Sequence, residues 1–465
     1  MRITAIFLLL VCSHFTFAQN FRTAAGIQSE GVAGSGDQLP FWFVHNRSGK
    51  LRPQGITQFL QEAYLLGDLH FSDRFKVEGG TEVALLVSDK GTDLQVVQLF
   101  ATVGGKYLSL RGGAFADPEI LGGLSSSNGE LLHSLNSRPY PRIELSTNGY
   151  IPVPFAPRWL RFKAQFDEGW LNDTRIVEKP HLHHKQLLLQ IVANSRTTFT
   201  AGGNHYVFWG GTSPQYGALP SGVKNYFRYI TGRSGNAGFP ETDQQNVAGN
   251  QLGSYLMTLE KKFSELDLEV RINHPFEDRS GMEFDNWRDN LYTLYLRFRG
   301  EKPLVEEVLA EYCYTRHQSG DRHQLEGPRS ERMRGLDNYF NHGVYQTGFT
   351  YRGFIIGTPF FGPVMQNATG VVAGVSNNRI SAWHLGAKGN LGEQIRWKGL
   401  ASYTQNSGTY AQPFNPVRKQ VYSYGEVSCH SRKLPMIFTV LLAADFGTPA
   451  SPRWGAGVRM SWTLR

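Results

Sequence analysis

The C-terminal end of the chain alternates without a break. Trp454, Ala456, Val458, Met460, Trp462 and Leu464 are apolar, and Gly455, Gly457, Arg459, Ser461, Thr463 and Arg465 stand between them. A period of two puts the apolar set on one face of a β-strand and the rest on the other. The same period recurs upstream. Leu266, Leu268, Val270 and Ile272 alternate with Asp267, Glu269, Arg271 and Asn273, and Leu160, Phe162, Ala164 and Phe166 alternate with Arg161, Lys163, Gln165 and Asp167. Further alternating runs cover 294–299, 395–404 and 436–446. The second faces are rich in charge, and that of 436–446 carries Thr439 and Asp445. A small barrel or sandwich needs an apolar interior, whereas a wide barrel accepts charge around a wet lumen and turns its apolar face to lipid. Composition agrees. Aromatics make up 13% of the 465 residues, glycine contributes 51, and mean hydropathy is −0.33. Past the N-terminus no apolar run approaches the roughly 18 residues of a membrane helix. The pattern predicts an all-β, transmembrane antiparallel β-barrel.

The N-terminus predicts export. Arg2 precedes a short apolar run from Ala5 to Cys12, and Thr16 and Ala18 are the small residues of a cleavage site after Ala18. Residues 1–18 therefore read as a signal peptide. Two cysteines then remain. Cys313 and Cys429 could pair in an oxidising compartment, but both sit among strand-like residues and read as two separate buried small side chains. The net charge of +8 suits a polyanionic partner, either lipopolysaccharide or an acidic polysaccharide. No basic cluster is long enough for a specific nucleic-acid site.

Connections sort by length. With the C-terminus placed in the periplasm, 167–181, 210–250, 275–290, 318–342, 366–378, 406–416 and 447–452 fall outside. The periplasmic side receives 194–196, 262–265, 301–303, 351–353, 389–392 and 431–434. Outer-membrane barrels keep short turns inside and long loops outside, and a soluble sandwich has no reason to do so. Alternation becomes regular only after about Gln58, so residues 19–57 read as an N-terminal periplasmic or plug segment and 58–465 as the barrel. Short helical pieces at 39–46 and within 117–141 are placed at the periplasmic mouth. A barrel that ends on such a strand also implies the outer-membrane barrel assembly machinery as a partner, although Leu464-Arg465 departs from the usual aromatic ending.

Several longer blocks carry a family resemblance. They are LPFWFVHNRSG at 39–49, GYIPVPF at 149–155, FDEGWLND at 166–173, WGGTSPQYGALP at 209–220, GNQLGSY at 249–255, HPFEDRSGM at 274–282, EYCYTRHQSG at 311–320 and GFTYRGFIIGTP at 348–359. Through them, and shorter matches at 137–145 and 184–185, the chain resembles the capsule assembly family Wzi in its Bacteroidetes form. The resemblance implies a barrel of about 18 strands, within the 16–18 range of wide barrels, with helical segments at its periplasmic end. It implies lectin-like attachment of exported capsular polysaccharide to the cell surface, without catalysis or cofactor.

Sugars are held by aromatic faces and by guanidinium, amide and carboxylate hydrogen bonds. The external segments offer Trp209, Tyr216, Tyr226, Arg228, Asp278, Arg279, Trp287, Arg288, Arg322, Arg329 and Arg332 as polysaccharide-binding candidates. Aromatics there also suit the girdle at a lipid interface. A second reading is a channel for small solutes or lipids, its lumen lined by Arg161, Lys163, Arg271, Arg297, Arg299, Arg396 and Lys398. A third is a surface glycosidase using Glu277 and Asp278 as acid and base. His181, His183 and His184 form the densest histidine group, but no third ligand for a metal is evident. No nucleophile elbow, phosphate loop or zinc-protease motif occurs.

Overall fold

The computed structural model describes residues 21–72, 75–324, 333–431, 434–449 and 451–464. Within them the chain forms a closed antiparallel barrel of eighteen strands. In chain order these are β1 (Phe21–Gly34), β2 (Thr57–Ser72), β3 (Phe75–Ser88), β4 (Gly91–Gly105), β5 (Leu108–Ala114) and β6 (Pro141–Thr147, resumed at Ile151–Pro152). Next come β7 (Leu160–Trp170), β8 (His181–Asn194), β9 (Thr197–Trp209), β10 (Asn250–Lys262), β11 (Leu266–Phe276) and β12 (Asn290–Phe298). The last six are β13 (Glu307–Tyr314), β14 (Ile380–Asn390), β15 (Ile395–Gly408), β16 (Pro413–His430), β17 (Met436–Thr448) and β18 (Arg453–Leu464). Each strand pairs with its neighbour in sequence. The ring closes where β1 pairs with β18, from Ala25 opposite Leu464 to Gly34 opposite Gly455.

That closure corrects the expectation for 19–57. Residues 21–34 are a wall strand, paired on both sides. The alternation is hard to read there because Ala24, Ala25, Gly26, Gly31, Ala33 and Gly34 have little or no side chain to mark a face. Only 35–56 is a connection. The proposed signal peptide lies outside the described residues.

The alternating runs do what their period requires. On β18, Trp454, Val458 and Leu464 project outward, with Val458 63% exposed, while Arg459 turns inward to the carboxylate of Glu30 at 2.7 Å. Phe438, Val440 and Leu442 on β17 are likewise outward and exposed. These rows form the apolar belt. The five longest connections are 35–56, 115–140, 210–249, 277–289 and 315–379. Strand direction alternates, so all five leave from one rim, which is the external one. Tight connections such as 106–107, 195–196, 263–265 and 391–394 occupy the other.

Eighteen strands enclose a lumen too wide for wall side chains to fill. Three external connections fold down into it. Segment 35–56 carries the one-turn helix α1 (Phe41–Val44). Segment 115–140 descends until the Gly122 carbonyl meets Lys388 Nζ at 2.9 Å, close to the periplasmic end of β14. Gly122 has φ +63°, and a Cβ there would collide with the Glu307 carboxylate, so glycine is required at this tip. The plug expected at the periplasmic end therefore hangs from the external rim. Segment 315–379 supplies most of the apolar filling. Its Tyr339, Phe340, Phe349, Tyr351, Phe360 and Phe361 pack with Trp42, Tyr140, Tyr206 and Phe208 in one buried cluster. Block 348–359, expected as two wall strands around a turn at 351–353, instead forms a two-residue hairpin, Thr350–Tyr351 with Phe354–Ile355, inside this cluster. Phe349, Tyr351, Ile355 and Ile356 of this block are buried in the cluster, which leaves it no apolar row to turn to lipid.

Both cysteines are free. Cys313 is buried in the lumenal cluster, whereas Cys429 is exposed, which corrects the reading of both as buried.

An arginine at Val458 would stand in the middle of the belt. Val458→Arg should cost about 2–4 kcal/mol of folding free energy in a bilayer, measured by reversible unfolding in lipid vesicles.

Candidate functional site

Polar space survives along the β15–β18 side of the lumen. It comprises three cavities in series, of about 590, 470 and 370 Å³ from the external rim downward. The external cavity is bounded by Phe41, Val44, Phe354, Phe360, Arg418, Tyr422 and Asp445. The central one is bounded by Trp42, Arg47, Lys50, Asp117, Glu119, Lys398, Tyr424, Glu426 and Arg459. The third shares Glu119, Lys398, Glu426 and Arg459 with it and adds Lys388, Arg396, Trp397 and His430. The two lower spaces thus adjoin along those four side chains. The upper two meet only at His45, with α1 between them.

Stacking and hydrogen bonds to the wall hold α1 across the path. Phe41 N–H donates to Asp445 Oδ2 at 2.9 Å, and the Phe41 ring stacks on Tyr422 with centroids 4.1 Å apart. Trp42 Nε1–H donates to Ser402 Oγ at 3.2 Å. His45 closes the turn beside Asn136 Oδ1 at 2.8 Å, and burial lowers its pKa to about 4. It is neutral at ordinary pH.

Below α1 the charges are arranged in networks. Glu30 accepts from Arg47 at 2.6 and 2.8 Å and from Arg459 at 2.7 Å, and Arg459 reaches Glu426 at 3.3 Å. Lys50 bridges Glu62 and Glu82. The plug is tied to the wall by buried charge as well. Glu311 accepts from Ser125 Oγ at 2.6 Å, Ser126 N at 2.8 Å and Ser126 Oγ at 2.6 Å. Burial opposes ionisation of Asp117, but Arg142 at 2.5 Å and His133 at 3.0 Å outweigh it and hold the carboxyl well below the usual range.

The described polysaccharide candidates stand on several external elements. Trp209 and Tyr226 lie on the outer wall, where Trp209 Nε1–H donates to Glu168 at 2.7 Å and Tyr226 meets His183 at 3.2 Å. Arg228 donates to the Ser234 carbonyl within its own loop, and Tyr216 is exposed nearby in sequence. Asp278 caps the helical turn Arg279–Met282 by accepting from Ser280 N at 2.8 Å, and Arg279 pairs with Glu283 at 2.7 Å. Trp287 is 62% exposed, with the Arg288 guanidinium 5.2 Å above its ring. Arg322 is exposed, and Arg329 and Arg332 lie outside the described residues. Glu277 is half-buried and accepts from Asn338 N at 2.8 Å, while Asp278 accepts from Ser280 N, so the two carboxylates are engaged by different backbone donors. His184 turns inward to Asp167 at 2.7 Å, while His181 and His183 turn outward around Glu168.

Of the expected lumenal cations, Arg396 and Lys398 line the cavities and Arg297 pairs with Glu307 at 3.2 Å. The short helical piece expected at 39–46 is α1, which stands on the external side rather than at the periplasmic mouth, and sequence reasoning missed Arg47 and Lys50. Its available signal was the unusual FWFVHNR string, which has no strand period.

Closed wall, apolar belt and filled polar lumen together define an outer-membrane β-barrel protein. No family model matches the chain, and no curated protein matches it. Solved structures do. The chain is similar in fold to OpdQ from Pseudomonas aeruginosa, with a TM-score of 0.51 and 7% identity over 96% of this chain and 97% of that one. It is similar also to the outer membrane protein OprD from Pseudomonas aeruginosa, at TM-score 0.50 and 8% identity over 96% and 93%.

The external acidic loops carry a pH dependence. Burial, then the charge of Asp278, raises the Asp337 pKa to about 7, and burial with Asp337 pushes Glu277 up as well. An unfolded aspartate releases its proton near pH 4. Between about pH 4 and 7 the folded loop holds more protons, so its stability falls as pH rises through that window. Protection factors of amides in 277–289 and 335–341, corrected for intrinsic exchange, should therefore fall from pH 5 to pH 8. Asp337→Asn should flatten that response, and equal protection at both pH values would refute the assignment.

Proposed function

We propose that the protein is an outer-membrane channel for small polar solutes, constricted by segments folded in from its external loops. The observation that supports this reading most is the row of three cavities on the β15–β18 side, with α1 standing between the upper two. Ordered charge lines the two lower cavities, which suits polar passengers, and the barrel shares its fold with OprD. Planar-bilayer recording of purified protein tests the proposal. The wild type should give small steady steps. Trp42→Ala shortens the side chain that α1 holds over the central cavity, and should enlarge the steps while leaving the heat-modifiable mobility of the barrel unchanged. Silence from both proteins would defeat the channel reading.

Attachment of exported capsular polysaccharide is the second reading, in keeping with the resemblance to the capsule assembly family. Its support is the Trp287–Arg288 pair, an exposed ring under a guanidinium on an external loop, which presents a stacking face and an anion contact together. Replacing both residues with Ala should release capsule into the medium without loss of barrel in the membrane. Full retention would count against it.

A further inference from the structure

Connection 210–249 starts at the lumenal cluster, where Leu219 is buried, and then turns outward. Its helix α2 (Val223–Ile230) lies against the outside of the wall. Tyr229 and Ile230 pack with Val207 of β9 in a buried cluster that also includes Phe239 and Ala248. Tyr226 meets His183, and Lys185 of β8 donates its ammonium to the Ile230 carbonyl. His183, Lys185 and Val207 have the same outward parity as the lipid-facing Leu187, Leu189 and Phe199 of these strands. The helix is therefore seated just above the exposed apolar rows, on the external side.

Its free face has an unusual composition for a surface helix. Val223 and Phe227, one turn apart, are 75% and 57% exposed. Lys224 and Arg233, the latter just past the helix, are exposed and enter no ion pair among the described residues. Apolar side chains flanked by cations describe a helix lying at a lipid interface.

Beneath the helix the wall is hollowed. A cavity of about 480 Å³ opens on the lipid-facing side, bounded by Leu108, Leu145, Phe162, Phe166 and Leu187, with Lys185 and His205 at its upper end. The floor is low because Ala164 and Gly203 flank Leu187 in register across three strands.

We propose that this groove and α2 form a binding site for a phosphorylated, multiply acylated glycolipid of the outer leaflet. The acyl chains fill the groove between Leu145, Phe162 and Leu187, and the phosphates meet Lys224 and Arg233. The external placement fixes the leaflet, the apolar lining selects acyl chains, and the cations select the anionic headgroup.

The site can be tested on full-length protein extracted from outer membranes and stripped of lipid in detergent. Binding of a bisphosphorylated glycolipid should exceed binding of its dephosphorylated form and of phosphatidylglycerol. A basic side chain at an anionic surface contributes about fivefold in affinity, so Lys224→Gln with Arg233→Gln should weaken binding by on the order of twentyfold. Ala164→Phe, which fills the groove and leaves every charge in place, should also reduce it. Heat-modifiable mobility confirms that each variant is folded. Equal binding of the dephosphorylated form, preference for phosphatidylglycerol, or undiminished binding by both folded variants would overturn the proposal.

Discussion

Everything else in this molecule depends on the pairing of its first strand with its last. β1 and β18 face each other from Ala25–Leu464 to Gly34–Gly455, and without that ladder each would expose a row of unpaired amides and carbonyls to lipid. Water is not available there to satisfy them, so an open edge is not an option in a bilayer. Closure at eighteen strands fixes the circumference, and the circumference fixes the problem that the loops must solve. The wall's own side chains cannot reach across a lumen of that width.

The loops solve it in two ways. The external half is filled by aromatic side chains from 315–379, packed with Trp42, Tyr140, Tyr206 and Phe208. The lower half stays polar, because the wall there presents Glu30, Glu426, Lys398 and Arg459 and the descending plug must satisfy them. Glu311 illustrates the constraint. It is buried, and three donors from Ser125 and Ser126 meet its two oxygens, so the plug segment supplies the partners that water would otherwise provide. What remains empty is a row of cavities on one side, with a single helical turn between the upper two. The same packing that stabilises the plug therefore sets the width of any passage.

On the outside, two loops extend the wall. α2 covers His183 and Val207, and Phe284 stacks on outward-facing Tyr255 and His274. Outward positions near the external rim thus exchange lipid contact for protein contact. This accounts for the histidines and for Lys185 on a face that is otherwise apolar. Trp209 and Tyr226, read from sequence as sugar-stacking residues, serve here to fasten the helix to the barrel around Glu168.

The sequence by itself determined the wall. Side chains alternate across a strand with a period of two, so Trp454 to Leu464 or Leu266 to Ile272 declare both their strand and their two faces locally. The sorting of long and short connections follows from strand direction. Where that local signal is weak the reading failed. The small residues of 21–34 hid β1, and the apolar run at 348–359 looked like wall. Tertiary structure decided the course of the loops, because their contacts are far apart in the chain. Glu311 lies 186 residues from Ser125, and Asp445 lies 404 residues from Phe41. No periodicity in 115–140 or 210–249 records whether a segment turns into the lumen or against the outer wall. Only the closed barrel creates the surfaces between which that choice is made.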